Sequence, residues 1–263
     1  MPEKFSTLRF ALSDDGIATV TLNRPEKLNA MNEAMRADFK RFRDELVENK
    51  EIKVIVFTGA GRAFSAGGDI DFLDQDWLSQ DFRAETQEFT TFFDALESLE
   101  KPVLAAVNGV CTGAGLQITL SCDLRIASEN ATFGFRENMI GLIPGAGGCS
   151  RLVKLIGYGK AKELIFTGEM LSAKAALEIG LINKVVPHEE LLRQTQKVAQ
   201  HLLTRAPVAL GLVKRVLWNC VNVDMATGRT LESLAQSILI KTEDHKEGIK
   251  AFREKRAPVF KGR

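Results

Sequence analysis

The chain has 263 residues, 45% hydrophobic and 26% charged, which is enough for one large globular domain or a domain with an appendage. Lys and Arg number 35 against 34 Asp and Glu, and this near-neutral balance argues against general attraction to nucleic acid or an anionic membrane. The four cysteines form no CxxC pair and the three histidines are scattered, so we expect reduced thiols and no metal site. No apolar run has the length of a membrane span, and the first residues do not resemble a secretion signal. We therefore expect a cytoplasmic protein.

The first half of the chain predicts strands that alternate with helices. Two strand-like runs flank Asp14-Asp15-Gly16, a sequence typical of a hairpin turn. Asn32 is a candidate helix N-cap, because apolar residues follow it at spacings of four, three and four. Continuous apolar runs that end in glycine predict buried strands at KVIVFTGAG and PVLAAVNG, with a helix over about 81–100 between them. Further strands are expected in DLRIAS and ATFGF.

The second half, from about residue 145, is predominantly helical. It predicts three short helices, each closed by glycine, then a brief strand at NKVVP and four helices after Pro187. We therefore predict an α/β core over residues 1–200 and an all-α region over residues 201–263. No linker of disordered composition separates them, so the helical region should pack against the core or a neighbouring subunit.

Two loops rich in Gly and Ala are candidates for a ligand site. They are AFSAGGD (63–69) and TGAG (112–115), and the second opens into a predicted helix. Small side chains let a ligand approach backbone N–H groups, and two such groups directed at one oxygen form an oxyanion hole. Each loop alone is better explained as a tight turn with packing glycines, because such turns are common. Neither fits the GxGxxG or P-loop pattern, which argues against nucleotide phosphate binding by these loops.

Taken together, the motifs are far more specific. The segments TGAGRAFSAGGDI, KPVLAAVNGVCTGAGLQITLSCDLRIAS and ATFGFRENMIGLIPGAGGCSRL follow one another in an order and spacing that resembles the crotonase (enoyl-CoA hydratase/isomerase) superfamily. NRPEKLNAMN near the start and AFREKRAPVFKGR at the end extend the resemblance to nearly the whole chain.

The resemblance implies an α/β fold, with a spiral of strand–strand–helix (ββα) turns and a C-terminal helical trimerisation region. It also implies a homo-oligomer, either a trimer or a dimer of trimers, that acts on an acyl-CoA thioester. No cofactor beyond the CoA moiety of the substrate is implied, and no metal, nucleic acid or membrane partner.

The resemblance also assigns roles to individual residues. By motif position, the two N–H groups that stabilise a thioester enolate are those of Ala66 and Ala114. The resemblance implies a CoA-binding segment with basic contacts to the phosphates, formed by Arg24, Lys27, Ala63, Ala66, Asp69, Ile70 and Lys261. The resemblance also allows Lys261 to act across a subunit boundary. Asp123 belongs to the family pattern and is expected to be structural.

Two positions correspond to the acids of two-carboxylate hydratases in this family. One is Glu137, but the other is Gln117, an amide. An amide cannot accept a proton from water in the useful pH range, whereas general-base help is typically worth ~10²–10⁴ in rate. A single carboxylate beside an enolate site suits double-bond isomerisation, which this departure slightly favours over hydration. If Arg136 reached Glu137, it would lower the pKa of that carboxyl and make it a poorer acid.

Several alternatives stay open from the sequence. One is a hydratase proper, in which Gln117 orients the water while Glu137 serves both steps. Another is a specialised crotonase, such as a hydratase or hydrolase for cyclic or branched acyl-CoA. A third is a CoA-binding partner subunit without chemistry, against which the retained Glu137 argues. The sequence does not specify the acyl chain, whose pocket we expect to come from residues 71–95 and the tail.

Overall fold

The computed structural model describes residues 5–263, and the strands of that part of the chain form two sheets. In chain order the strands are β1 (Leu8–Leu12), β2 (Ile17–Leu22), β3 (Val54–Gly59), β4 (Ala63–Ser65), β5 (Val103–Val107), β6 (Val110–Thr112), β7 (Leu124–Ser128), β8 (Thr132–Gly134), β9 (Leu171–Ser172) and β10 (Lys184–Val186). The larger sheet has the order β1-β2-β3-β5-β7-β10, and the smaller sheet has the order β4-β6-β8-β9. The hairpin β1–β2 is antiparallel, and the other pairs of the larger sheet are parallel.

Helices connect these strands and form the C-terminal region. In chain order the helices are α1 (Glu33–Glu48), α2 (Ile70–Leu73), α3 (Ser79–Ser98), α4 (Ala114–Leu120), α5 (Gly148–Thr167), α6 (Ala173–Glu178), α7 (Leu191–Leu203), α8 (Pro207–Cys220), α9 (Met225–Leu239) and α10 (Glu243–Glu254). Short 3-10 turns lie at Pro25–Lys27, Glu137–Ile140 and His188–Glu190. The predicted N-cap is confirmed, because the Asn32 side chain accepts a hydrogen bond from Met35 N–H.

The larger sheet is buried on both faces, which explains its continuous apolar strands. Along β3, Ile55 and Phe57 belong to the main core, which also contains the apolar faces of α1 and α3. Val54 and Val56 point to the opposite face and pack in a second cluster with Leu191 of α7. A strand covered on both sides has no polar face, so its sequence shows no alternation.

The structure bears on two of the predicted boundaries. The predicted break between the first two of the three short helices is confirmed, because α5 is interrupted at Gly157, whose φ 78° and ψ 162° are not helical. The predicted boundary after residue 200 falls inside α7, which continues to Leu203. α7 contacts β3, β5 and β7 and so packs against the larger sheet, and the division into a core and a helical region stays a prediction.

The C-terminal helices are attached to the core through a half-buried lysine. Lys214 of α8 donates hydrogen bonds to Leu96 O, Lys101 O and Asp123 Oδ2. The Asp123 carboxylate also accepts the Val103 N–H, which agrees with its expected structural role. Large apolar side chains nevertheless remain exposed on this region, including Met225 (77%) and Phe252 (84%).

Within residues 5–263, no helix is both long and apolar enough to cross a membrane. The four cysteines are free thiols.

Candidate active site

The two Gly/Ala loops lie next to each other, because the strands that precede them are neighbours. β4 and β6 pair in parallel, with Ser65 opposite Cys111, so both chains leave the smaller sheet at the same edge. A Cβ on Gly67 would lie 3.3 Å from Gly113 Cα and 3.5 Å from Ala114 N. The backbones therefore approach too closely for a larger side chain, which explains the small residues on both sides.

In the first loop, the structure replaces Ala66 with Gly68 as the candidate N–H donor. The Ala66 N–H donates to Leu28 O at 2.9 Å, so it is not free for a ligand, and the prediction for this N–H is wrong. Met31 and Gly68 form a parallel β-bridge. Its two hydrogen bonds are made by the neighbours of Gly68: the Met31 N–H donates to Gly67 O, and the Asp69 N–H donates to Met31 O. The Gly68 N–H therefore points away from Met31. Among residues 5–263 no acceptor takes the Gly68 N–H. Ala66 itself is half-buried in the same loop.

In the second loop, Ala114 retains its predicted place. Gly113 adopts φ 55° and ψ −129°, a conformation that side chains disfavour, and so turns the chain from β6 into α4. Ala114 is the first residue of that helix, where N–H groups have no partner within the helix. Its N–H has no acceptor in the described part of the chain.

The Glu137 carboxylate lies over Gly113, in a half-buried position. Its Oε1 would be 3.4 Å from a Cβ on Gly113, and its Oε2 is buried without a hydrogen-bond partner in the described chain. Burial raises the pKa of the Glu137 carboxyl, and the N–H groups of Glu137 and Arg136 offset this only in part. A raised pKa makes this carboxylate a stronger base than an ordinary glutamate, which suits it to accept a proton and later return it.

Gln117 links Glu137 to the segment 144–148. Its side chain is only 4% exposed, and Oε1 accepts the Ala146 N–H at 2.8 Å. This bond fixes the orientation of the amide, because Nε2 then faces Glu137 Oε1 at 3.4 Å. Gln117 is therefore a hydrogen-bond donor to the carboxylate, and its one acceptor atom is already engaged by the backbone.

Arg151 secures the other side of the same peptide segment, a role that the sequence did not reveal. Its Nη1 donates to Ala146 O at 3.1 Å, and its Nη2 contacts Asp94 and Glu97 on α3. The segment that contacts Gln117 is thus tied to α3. From the sequence alone, an arginine in a predicted helix is best explained as a surface charge.

Arg136 points away from Glu137. Its side chain is exposed, and its Nε contacts Met139 Sδ at 3.2 Å. We therefore expect Arg136→Ala to leave the acidic limb of the pH–rate profile where it is in the wild type. The profile of kcat/KM between about pH 5 and 8 measures this, and a shift of that limb would show that the charge of Arg136 acts on Glu137.

Three residues expected at the CoA site make contacts within the fold. Ala63 is buried, and its carbonyl accepts from the Asn29 and Asn108 side chains. Arg24 Nη1 contacts Asp69 Oδ2 at 2.8 Å and also bonds Ala30 O. Asp69 caps α2 through Asp71 N–H, and these hydrogen bonds outweigh burial and lower the pKa of its carboxyl. These contacts give Ala63, Arg24 and Asp69 structural roles, and their contacts with CoA stay a prediction.

Lys27 and Ile70 form an exposed rim beside the first loop. Lys27 Nζ is 3.8 Å from Asp71 Oδ2, its side chain is 57% exposed, and Ile70 is 61% exposed. Both are accessible to a ligand that reaches Ala66 and Gly68. Lys261, in contrast, lines a cleft with Lys53 and Pro207, where β3 begins. The length of β3, about 16 Å, separates it from the site of the same chain.

Comparisons with known proteins find matches over nearly the whole chain. The profile of the family "Enoyl-CoA hydratase/isomerase" matches residues 13–263. The short-chain-enoyl-CoA hydratase of Clostridium acetobutylicum is 41% identical over 245 residues, which cover 91% of this chain and 92% of that protein. The crotonyl-CoA hydratase of Syntrophomonas wolfei is 36% identical over 253 residues, covering 94% and 95%. A crystal structure of enoyl-CoA hydratase from Bacillus anthracis superposes with a TM-score of 0.93 at 36% identity, covering 98% and 100% of the two chains.

Proposed function

The chain belongs to the enoyl-CoA hydratase/isomerase family, and within this family of acyl-CoA enzymes we propose that it shifts a carbon–carbon double bond with Glu137 as its one proton carrier. The thioester oxygen would accept the N–H groups of Gly68 and Ala114. Both groups lack acceptors in the described chain, and their loops are in contact. Loss of one such donor typically costs ~10²–10³ in rate.

The proton would move from one carbon to another through a single carboxylate. Glu137 takes a proton from C2 of a 3-enoyl-CoA, which leaves a dienolate whose charge is stabilised at the thioester oxygen. The same carboxyl then returns the proton to C4, giving the 2-enoyl-CoA with no net gain or loss of protons. The raised pKa of Glu137 supports both steps, since the group must act first as base and then as acid.

One observation carries the preference for isomerisation over hydration. Gln117 Oε1 is occupied by the Ala146 N–H, and Gln117 Nε2 can only donate. The side chain at position 117 therefore offers no base to an attacking water. The carboxylate that lies against Gly113 in the described chain is that of Glu137.

The direct test is to supply purified enzyme with a 3-enoyl-CoA and, separately, with the trans-2-enoyl-CoA of the same chain length. We expect conversion of the 3-enoyl-CoA to the 2-enoyl-CoA, with 3-hydroxyacyl-CoA formed at least about tenfold more slowly. Chromatographic quantification of the three CoA esters distinguishes the products. Faster hydration than isomerisation would overturn the proposal.

Restoring a carboxylate at position 117 should change the outcome. In Gln117→Glu, the Ala146 N–H still has an acceptor, but the donor to Glu137 is replaced by a like charge. We expect the pKa of the Glu137 carboxyl to rise further, so that the acidic limb of isomerisation moves to higher pH and hydration increases. Gln117→Met is the matched control, since it removes both hydrogen bonds without adding charge. An unchanged pH profile in Gln117→Glu would contradict the described contact.

Hydration is the second candidate, because the two relatives named above are called hydratases. The second N–H of Gln117 Nε2 can hold a water oxygen while Glu137 takes its proton. In that case Glu137 serves both steps of the addition.

Assembly and CoA recognition belong to the same proposal. We expect a trimer or a dimer of trimers, in which neighbouring copies cover the exposed apolar side chains of the C-terminal helices. Lys27 and Ile70 would then contact the CoA moiety at the rim. Lys261 would reach it only from a neighbouring copy, since it lies far from the site of its own chain.

A further inference from the structure

A shallow groove lies beside the site, between α3 and the segment that Gln117 contacts. It has a volume of about 450 Å³, within the range of small-molecule sites. The groove is lined by Phe82 and Gly145 together with Ser79, Arg83, Thr86, Gln87 and Thr90. None of these side chains carries a negative charge, and Arg83 carries a positive one.

The groove borders the segment that contacts the candidate site. Gly145 is adjacent to Ala146, whose N–H bonds Gln117, and Gln117 in turn contacts Glu137. Across the groove, Thr86 Cγ2 lies 3.8 Å from the position of a Cβ on Gly145. An acyl chain with its thioester at Gly68 and Ala114 would pass Glu137 and Gln117 and then enter this groove.

Arg83 is an unpaired cation on the side of the groove that α3 forms. Its neighbours three and four positions away on α3 are Ser79, Gln80, Thr86 and Gln87, all uncharged, so the helix supplies no ion pair. Within the described chain Arg83 makes no salt bridge or hydrogen bond. The nearby cations, by contrast, are paired with acids of α3, as in the contacts Arg36–Glu85, Lys40–Glu88 and Arg151–Glu97.

We infer that the groove binds the distal end of the acyl group and that Arg83 recognises an anionic terminus there. The substrate class is thus a CoA thioester of a dicarboxylic acid, with the free carboxylate at the far end from the thioester. A guanidinium binds a carboxylate through paired hydrogen bonds, and the Thr and Gln side chains offer further polar contacts. This inference rests on the proposed acyl-CoA function and adds the chemistry of the acyl group.

The test uses saturated acyl-CoAs, which bind but cannot isomerise or hydrate. Calorimetry on the intact protein compares adipyl-, suberyl- and sebacyl-CoA with hexanoyl-, octanoyl- and decanoyl-CoA, and with free CoA. The variants are Arg83→Met, which keeps length without charge, and Arg83→Glu, which reverses the charge. Arg9→Met is the matched control, because Arg9 is an exposed arginine on the edge strand β1.

We expect the wild type to bind at least one dicarboxylic ester more tightly than its monocarboxylic partner. Arg83→Met should weaken that ester about tenfold, Arg83→Glu should weaken it more, and the monocarboxylic esters and free CoA should change little. If the Arg83 variants changed the affinity for dicarboxylic and monocarboxylic esters equally, or changed neither, the inference would be overturned. Weaker binding of free CoA would instead assign Arg83 to the nucleotide phosphates, which also overturns it. If no acyl-CoA binds the wild type, the proposed function fails first.

Discussion

Glu137→Gln is expected to lower kcat for the double-bond shift by ~10²–10⁴ while leaving the affinity for a saturated acyl-CoA nearly unchanged. The amide has the shape of the carboxyl group but cannot accept the C2 proton. Stopped assays on the 3-enoyl-CoA give kcat, and calorimetry gives the binding constant. Glu129→Gln is the control, because Glu129 is an exposed glutamate outside the site. Activity within tenfold of the wild type would exclude Glu137 as the proton carrier.

The same variant should be more stable than the wild type at neutral pH. Burial raises the pKa of the Glu137 carboxyl, so its charged form is less favourable in the folded than in the unfolded chain. The resulting loss in the free energy of unfolding is complete above the raised pKa of the folded chain. It disappears as the pH falls below the pKa of Glu137 in the unfolded chain. Urea denaturation at neutral and acidic pH measures it. A variant that is less stable than the wild type at neutral pH would contradict the described burial.

Gly68→Pro is expected to lower kcat by ~10²–10³, since it removes the N–H that we assign to the oxyanion hole. Gly68→Ala is the matched control, because it retains the N–H. Its Cβ would meet only the flexible end of Leu73, at 3.1 Å. Ala66→Pro should instead lose the bond to Leu28 O and lower the melting temperature.

The proline variants are compared by kcat and by thermal melting, with binding of a saturated acyl-CoA as a check on the fold. A Gly68→Pro enzyme as active as Gly68→Ala would show that this N–H does not stabilise the enolate. If Ala66→Pro lost more kcat than Gly68→Pro while keeping the wild-type melting temperature, the oxyanion-hole donor would be the Ala66 N–H.

Much of the fold could be predicted from the sequence, because its patterns are local. The hairpin at Gly16, the N-cap at Asn32 and the buried strand β3 each follow from a few neighbouring residues. The packing of α7 against the larger sheet could not be predicted, since it depends on contacts with three strands far away in the sequence.

The site was predictable in its composition but less so in its details. Glu137 and Gln117 could be placed because the surrounding motifs are long and specific. The choice between Ala66 and Gly68 could not be made, because three successive small residues fit a close backbone approach equally well. Only the pairing with Leu28 and Met31 decides which N–H is free. The roles of Arg24, Asp69 and Arg151 likewise depend on contacts between residues far apart in the chain.

The central claim is that one carboxyl carries the proton between two carbons. It is tested most directly with a 3-enoyl-CoA deuterated at C2, converted by the wild-type enzyme in ordinary water and followed by NMR. The account predicts a 2-enoyl-CoA product in which part of the released deuterium appears at C4, because Glu137 holds it between the two steps. A 3-hydroxyacyl-CoA as the main product, or deuterium lost entirely to the solvent, would contradict it.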